Sequence, residues 1–381
     1  MKISLKNICS FQSGGTPSKQ NSDYFNGNIP WITTVALNGR IIDQNSAVDW
    51  ITEKAIQESA AKIVPAGSIM VGTRVGVGKV AINAVPMSTS QDIISLVGID
   101  SSKWNKEYLC KFLQSKESFL KSQSRGATIK GIKIDALAAL EVPGLPLSEQ
   151  EKIVSVLNHT LDIIEQRKAQ LAALDELVKA RFVEMFGDPI SNPKGLTIKK
   201  LSELGSLDRG RSQYRPRNAP ELLNGPYPLI QTGEVAAAGL YITEYHNTYS
   251  ELGLKQSKMW KAGTLCITIA ANIAQTAIMT FDACFPDSVV GFVPDKEVNA
   301  LYIHYWFSFF QKILEEQAPQ VAQKNINLKI LSGLNVIVPD SKQSEAFETF
   351  VVEVNKTKEV VKKSLEKSQL LFDSLMQEYF G

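Results

Sequence analysis

Apolar residues recur one-sidedly along two long stretches of this chain. In LPLSEQEKIVSVLNHTLDIIEQRKAQLAALDELVKARFVEMFG, the residues Leu157, Leu161, Ile164, Leu171, Leu174, Val178 and Phe182 fall 4, 3, 7, 3, 4 and 4 positions apart. That spacing lays a single apolar stripe along an α-helix. Ser148 has Glu151 three positions on and Pro146 just before it, so Ser148 is the expected N-cap. Gly187 followed by Asp188-Pro189 should end the helix, because glycine accepts the left-handed cap conformation and proline cannot continue the hydrogen-bond ladder. At about 1.5 Å per residue, a helix of about forty residues is a rod of roughly 60 Å. After Pro339 the design repeats with Phe347, Phe350, Val354, Val361, Leu365, Phe372, Leu375 and Tyr379, while Lys and Glu fill most of KTKEVVKKSLEKSQ.

Ahead of each helix the text is β-rich and punctuated by Gly and Pro, up to Pro143 in one case and Pro339 in the other. These stretches are copies of one plan. NGNIPWITT at 26 to 34 returns as NGPYPLIQT at 224 to 232, matching at five of nine positions, where unrelated segments would share roughly one or none. The offset starts at 198 and falls to 194: Asp92 and Asp100 align with Asp287 and Asp295, Asn105 and Tyr108 with Asn299 and Tyr302, Lys130 and Ile132 with Lys324 and Ile326, and Phe186-Gly187 with Phe380-Gly381. A unit of about 190 residues is too long for a solenoid repeat and large enough to carry its own core. An isolated rod with one apolar stripe needs a partner, and each helix is the natural partner of the other. Because the second starts at the second globular head, it must run back antiparallel. The expected fold is α+β, with two similar β-rich domains separated by a two-helix antiparallel coiled coil and related by a pseudo-twofold internal repeat. Residues 1–145 form head one, 146–187 the central helix, 188–339 head two and 340–381 the C-terminal helix, in a dumbbell. The expected coiled-coil core is Leu157, Leu161, Ile164, Leu171, Val178 and Phe182 against Phe350, Val354, Val361, Leu365, Phe372 and Leu375.

A net charge of +2 over 381 residues gives no bulk polyanion affinity. The opening residues carry no secretory signal and no apolar run approaches a membrane span, so a cytoplasmic chain with no membrane partner is expected. Cys9, Cys110, Cys266 and Cys284 are scattered without zinc spacing, and His159, His246 and His304 stand far apart. The glycines of GTRVGVGKV at 72 to 80 are one residue too far apart for a phosphate-binding P-loop, and Val80 replaces the required Ser or Thr. No dinucleotide fingerprint, zinc-protease helix, serine elbow or Asn/Asp-Pro-Pro-aromatic tetrapeptide occurs. These absences describe a binding module without chemistry, metal or cofactor of its own.

Polar loops at matching places in the copies suggest the ligand. SGGTPSK offers Ser13, Gly14, Gly15, Thr16 and Lys19, with paired glycines that let backbone amides approach a ligand and a lysine suited to phosphate. Its counterpart DRGRSQYRPR carries Arg209, Arg211, Gln213, Tyr214, Arg215 and Arg217 against Asp208. Guanidinium groups clamp phosphates or pair with guanine, and Gln reads adenine. A second strip holds Arg125, Thr128 and Lys130 in head one, with Gln323, Lys324, Asn325 and Asn327 in head two. Thr34 and Thr232 in the repeated segment, Arg74 and Lys79 in the glycine-rich loop, and Asn272 and Gln275 in AANIAQ, which replaces GVGKVA, complete the candidate DNA-binding set.

LKNICSFQSGGTPSKQNSDYFNGNIPWITT and RGRSQYRPRNAPELLNGPYPLIQTGEV resemble the target-recognition domains of specificity subunits of Type I restriction-modification systems, and LPLSEQEKIVSVL with FGDP resembles that family's central region. The resemblance covers the whole chain. It implies a non-catalytic subunit that binds double-stranded DNA, two modification (methyltransferase) subunits and restriction (ATPase/nuclease) subunits. S-adenosylmethionine, ATP and Mg would then sit on those partners. Each head would read one half of an asymmetric bipartite target, with half-sites about one helical turn, near 34 Å, apart, directing adenine N6 methylation and restriction. Arg167, Lys168, Lys179, Lys358, Lys362 and Lys363 offer docking surface on the helices. A fused restriction assembly and a protein-bridging scaffold without DNA are the competing readings.

Overall fold

The computed structural model describes residues 1–123, 131–270, 273–317 and 326–381. Head one contains β1 (Lys2–Ser4), β2 (Ser10–Ser13), β3 (Phe25–Ile32), β4 (Ile41–Ile42), β5 (Asp49–Ile51), β6 (Ile63–Val64), β7 (Ile69–Gly72), β8 (Val80–Asn83), β9 (Met87–Thr89), β10 (Ile93–Val97) and, after helix α1 (Lys106–Ser115), β11 (Glu141–Pro143). Helix α2 (Leu147–Phe186) follows. Head two contains β12 (Thr197–Lys200), β13 (Gly205–Arg209), β14 (Leu223–Leu229), β15 (Tyr241–Ile242), β16 (Asn247–Tyr249), β17 (Met259–Trp260), β18 (Leu265–Thr268), β19 (Thr276–Met279), β20 (Ala283–Cys284) and β21 (Val289–Pro294). Helix α3 (Ala300–Gln317), β22 (Asn335–Val338) and helix α4 (Ser341–Phe380) close the chain.

The duplication is complete at the level of topology. Head one has a five-stranded sheet in the order β2-β10-β7-β8-β4, a four-stranded sheet β5-β3-β9-β6 and a pair β1-β11. Adding eleven to every strand number gives the sheets of head two: β13-β21-β18-β19-β15, β16-β14-β20-β17 and β12-β22. The repeated NG dipeptide has a structural cause. β3 bulges between Phe25 and Ile29 and β14 between Leu223 and Tyr227, and at each bulge the Asn is left-handed, with φ of 60° at Asn26 and 63° at Asn224. Asn tolerates that conformation better than most residues. The following glycine then lies against the neighbouring backbone, where a Cβ on Gly27 would stand 2.1 Å from the carbonyl oxygen of Ile51 and one on Gly225 2.4 Å from that of Tyr249.

The chain separates into two compact units, one made of residues 1–168 with 363–381 and the other of 169–362, so both long helices contribute to both. In the first unit Ile153, Val154 and Leu157 of α2 share a core with Phe380 and the half-buried Phe372 and Leu375 of α4, together with Tyr108 and Phe112 of α1. In the second, Val178, Phe182 and Phe186 of α2 share a core with Phe347, Val351 and Val354 of α4, with Tyr302 of α3 and with the half-buried Phe350. The start of α2 thus meets the end of α4 and the end of α2 meets the start of α4, which is antiparallel pairing. Of the remaining expected stripe, Ile164 and Val361 are buried while Leu161, Leu171 and Leu365 are half-buried.

Matching aromatic contacts fasten the helices to each head. Phe380 lies 5.1 Å from Tyr108, whose hydroxyl donates to the carbonyl of Pro143, and Phe186 lies 5.1 Å from Tyr302, whose hydroxyl donates to that of Ile337. Asn105 and Asn299 accept from the backbone amides of Tyr108 and Tyr302, satisfying the exposed first turns of α1 and α3. Ser148 is not the N-cap of α2. The helix starts at Leu147 and the carbonyl of Pro146 already accepts from Glu149 and Gln150, which places Ser148 in the first turn. The fastening residue is the fully buried Gln150, which accepts from the amide of Asn105 and donates to the carbonyls of Lys103 and Leu145. At the far end Gly187, at φ 81°, ends α2 as its position predicts.

Hydrogen bonds also correct the register of the repeat. Ser288 accepts from Ile269 in head two as Asp92 accepts from Thr73 in head one, so Asp92 corresponds to Ser288 and Gln91 to Asp287. Likewise Gly78 donates to Gly72 and Ala274 to Thr268. Ala274 and Gln275 therefore stand opposite Gly78 and Lys79, two positions earlier than the sequence alignment puts them.

Candidate nucleic-acid interface

In head two, β13 ends in a loop whose arginines are organised by the turn before β21. Arg209 donates through Nε and Nη2 to the carbonyl oxygen of Asp287, at 3.0 and 2.6 Å. Arg217 pairs with Oδ1 of the same residue at 2.6 Å and Arg215 approaches Oδ2 at 3.6 Å. Arg215 also donates to the carbonyls of Ser212 and Tyr214. The side chain of Gln256 accepts from the amides of Gln213 and Tyr214 at 2.7 and 3.1 Å, holding both residues exposed, Tyr214 by 45%. Beneath the loop Lys258 pairs with Asp208 at 3.0 Å and stands 3.9 Å over the ring of Trp260. The hydrogen bond from Lys258 holds the Asp208 carboxyl below the usual carboxylate range. Among the described residues the exposed Arg211 guanidinium makes no hydrogen bond or ion pair, though its charge helps Lys258 hold the Asp208 carboxyl down.

Beside the loop Ser212, Arg217, Gln231, Thr232 and Ser288 line a cavity of about 230 Å³. Two candidates distant in sequence, Arg217 and Thr232, thus meet. Gln275, half-buried, lies on the β18–β19 connection that Ile269 ties to Ser288. Arg209 fits less well than its charge suggests, because its Nε–Nη2 edge, the one used for bidentate pairing, is spent on Asp287. Asn327 is also spent: it caps the short helix Leu328–Ser332 and accepts from the amide of Ile330.

Head one presents different chemistry at the same place. Gly14 and Gly15 do not offer amides to a ligand, since they donate to the carbonyls of Ile93 and Thr89. Their lack of a Cβ serves packing, for one on Gly14 would meet the Ser90 carbonyl oxygen at 2.2 Å and one on Gly15 that of Ala60 at 2.1 Å. Ser13, Thr16 and Lys19 remain exposed around them. Thr34 is 5% exposed and sits under Gly76, so it supports the Arg74–Lys79 connection without reaching outward. Arg74 and Lys79 are exposed, and Gly131 packs on the Arg74 side chain. Arg125, Thr128, Lys130, Asn272, Gln323, Lys324 and Asn325 lie outside the described residues.

The helix cations are mostly engaged. Lys168, Lys179 and Lys362 pair with Glu165, Glu176 and Glu359 three positions earlier, and Lys358 reaches from α4 to Asp175 of α2. Lys358, whose side chain is 17% exposed, is an interhelical residue. Sequence reasoning passed over the exposed apolar residues Val360, Leu370 and Leu371, which break the stripe. Burial pushes the thiols of Cys9 and Cys110 up to about 12, away from nucleophilic use. Among the described residues no His/Cys/Asp/Glu group could hold a metal, and no helix is long and apolar enough to cross a membrane.

Duplicated β-rich heads, exposed polar loops of different chemistry at equivalent positions and paired long helices define a tandem recognition module. The chain belongs to the family of the Type I restriction modification DNA specificity domain, whose model matches residues 1–173 and 193–367. It is 30% identical over 273 residues to the MjaIX specificity subunit of a Type I restriction enzyme from Methanocaldococcus jannaschii, covering 67% of this chain and 62% of the relative. It is 29% identical over 161 residues to the EcoR124I/EcoR124II specificity subunit of Escherichia coli, covering 40% and 39%. The chain therefore spans less than two thirds of the length of either relative. Its fold is that of a chain from a type I R-M system solved for its complex assembly and conformational transition, with a TM-score of 0.64, 15% identity and coverage of 100% and 97%. The S subunit of such a system from M. genitalium matches with a TM-score of 0.58, 14% identity and coverage of 100% and 96%.

Proposed function

We propose that this chain is the DNA sequence-specificity subunit of a Type I restriction-modification complex and performs no chemistry itself. The observation that carries this reading is the arginine loop of head two, a cationic surface with Gln213 and Tyr214 held outward, whereas the equivalent loop of head one carries different residues. Cations fix a protein on the phosphate backbone, while Arg and Gln read base edges in the major groove. Two heads of one topology and different loops read two different half-sites, giving an asymmetric split target whose spacer the paired helices set. Modification subunits dock on the helices, where Val360 and Leu370-Leu371 offer apolar contact. They carry S-adenosylmethionine and transfer its methyl group to an adenine in each half. Restriction subunits bring ATP and Mg.

DNA binding by the assembled complex, measured across salt, tests this reading. Affinity for a methylated target should fall steeply as salt rises, because each neutralised phosphate contributes about 0.9 to the slope of log K against log salt. Binding indifferent to salt and DNA sequence would leave a protein-bridging scaffold.

A further inference from the structure

We infer that Asp287 is the positioning residue that turns the arginine loop of head two from a charge clamp into a base reader; this rests on the DNA-reading role proposed above. Four arginines stand within residues 209–217. Left to themselves they repel one another and grip any phosphate, which raises affinity without raising specificity. Asp287 engages three of them through different atoms. Its carbonyl takes the fork of Arg209, Oδ1 takes Arg217 and Oδ2 faces Arg215. Two guanidinium groups are thereby drawn as ion pairs to one carboxylate, Arg215 being aimed as well by the carbonyls of Ser212 and Tyr214, yet the side chains of Arg215 and Arg217 stay 55% and 46% exposed. Base discrimination needs donors fixed in direction, whereas phosphate attraction needs only charge.

The molecule contains its own comparison. At the position of Asp287 head one has Gln91, and the loop it faces, SGGT, has no arginine. The carboxylate occurs in the head that has guanidinium groups to aim.

The test uses the assembled complex with Asp287→Asn, which keeps the backbone carbonyl and size while removing the charge. On DNA without the target the variant should bind more tightly, by roughly threefold, with a salt slope steeper by about one. Discrimination at the half-site read by head two should fall by about tenfold or more, while that of head one stays unchanged. Asp287→Glu should recover part of the discrimination. In the Asp287→Asn background, Arg217→Gln should cost little further discrimination, since the two act as one unit. An equal loss of affinity on target and non-target DNA, unchanged discrimination, or a full additive loss from Arg217→Gln overturns the inference. Indifference of the wild-type complex to all DNA sequences would instead remove the reading on which it rests.

Discussion

Heads one and two share every strand pairing and differ where their loops meet solvent. Around the end of β2, head one spends two glycine amides on its own strands and exposes Ser13, Thr16 and Lys19. Around the end of β13, head two gathers three arginines on Asp287. The cores repeat the same contact, Tyr108 with Phe380 in one head and Tyr302 with Phe186 in the other. The difference in charge is therefore greatest at surfaces that a shared scaffold holds in place. Two copies of a frame can read two different DNA sequences only if the loops change while the frame does not.

The largest effects should come from breaking the shared frame. Phe182 is fully buried among Phe186, Tyr302, Phe309 and Phe347, so Phe182→Ala should cost about 3–5 kcal/mol. Hydrogen exchange should place that loss in the unit of residues 169–362, sparing the other. Next in size, Gln150→Ala removes the partner of three part-buried backbone groups in the opposite unit and should cost about 1–3 kcal/mol, seen as early exchange of α1. Of comparable or smaller size is the loss from Arg217→Gln, about 1–3 kcal/mol of discrimination at the second half-site alone, by competition binding. Lys19→Gln in head one should weaken binding evenly across sequences and lower the salt slope by about one.

The smallest expected difference is a pH response that only one head has. His304 in α3 hydrogen-bonds Thr276, and burial together with the charge of Lys358 pushes it down to about 4 from an ordinary 6.5. Head one has Cys110 at that place. Above pH 6.5 the imidazole is neutral folded or unfolded and adds nothing. Below it the unfolded chain takes a proton that the folded chain refuses, so head two loses stability progressively until about pH 4. Part of the residue reaches solvent, so the loss is on the order of 1 kcal/mol. Thermal unfolding of the wild type and His304→Asn across that range measures it.

Much of the frame was legible because it is periodic or repeated. The stripe of Leu157 to Phe182 predicts α2 nearly to its ends, and the repeated NG marks a bulge that only a left-handed Asn followed by a Cβ-free residue can form. What sequence could not deliver was long-range partnership. Nothing near Arg217 in the chain points to Asp287, seventy positions away, or shows Gln256 holding the loop backbone. Asp287 stands out as a repeat landmark, but identity of residue type pairs it with Asp92, and the one-residue shift shows only in the hydrogen bonds. Gly14 and Gly15 misled for a related reason: a glycine pair looks the same whether it admits a ligand or a neighbouring strand.

Single-molecule methylome sequencing of a methylation-free host carrying this chain with its cognate modification subunit, beside the same host without the chain, addresses the central claim most directly. One split motif, methylated on adenine in each half and absent without the chain, is the predicted result. An assembled complex that leaves no such motif, or leaves it unchanged when the chain is removed, would contradict the assignment of sequence reading to these two heads.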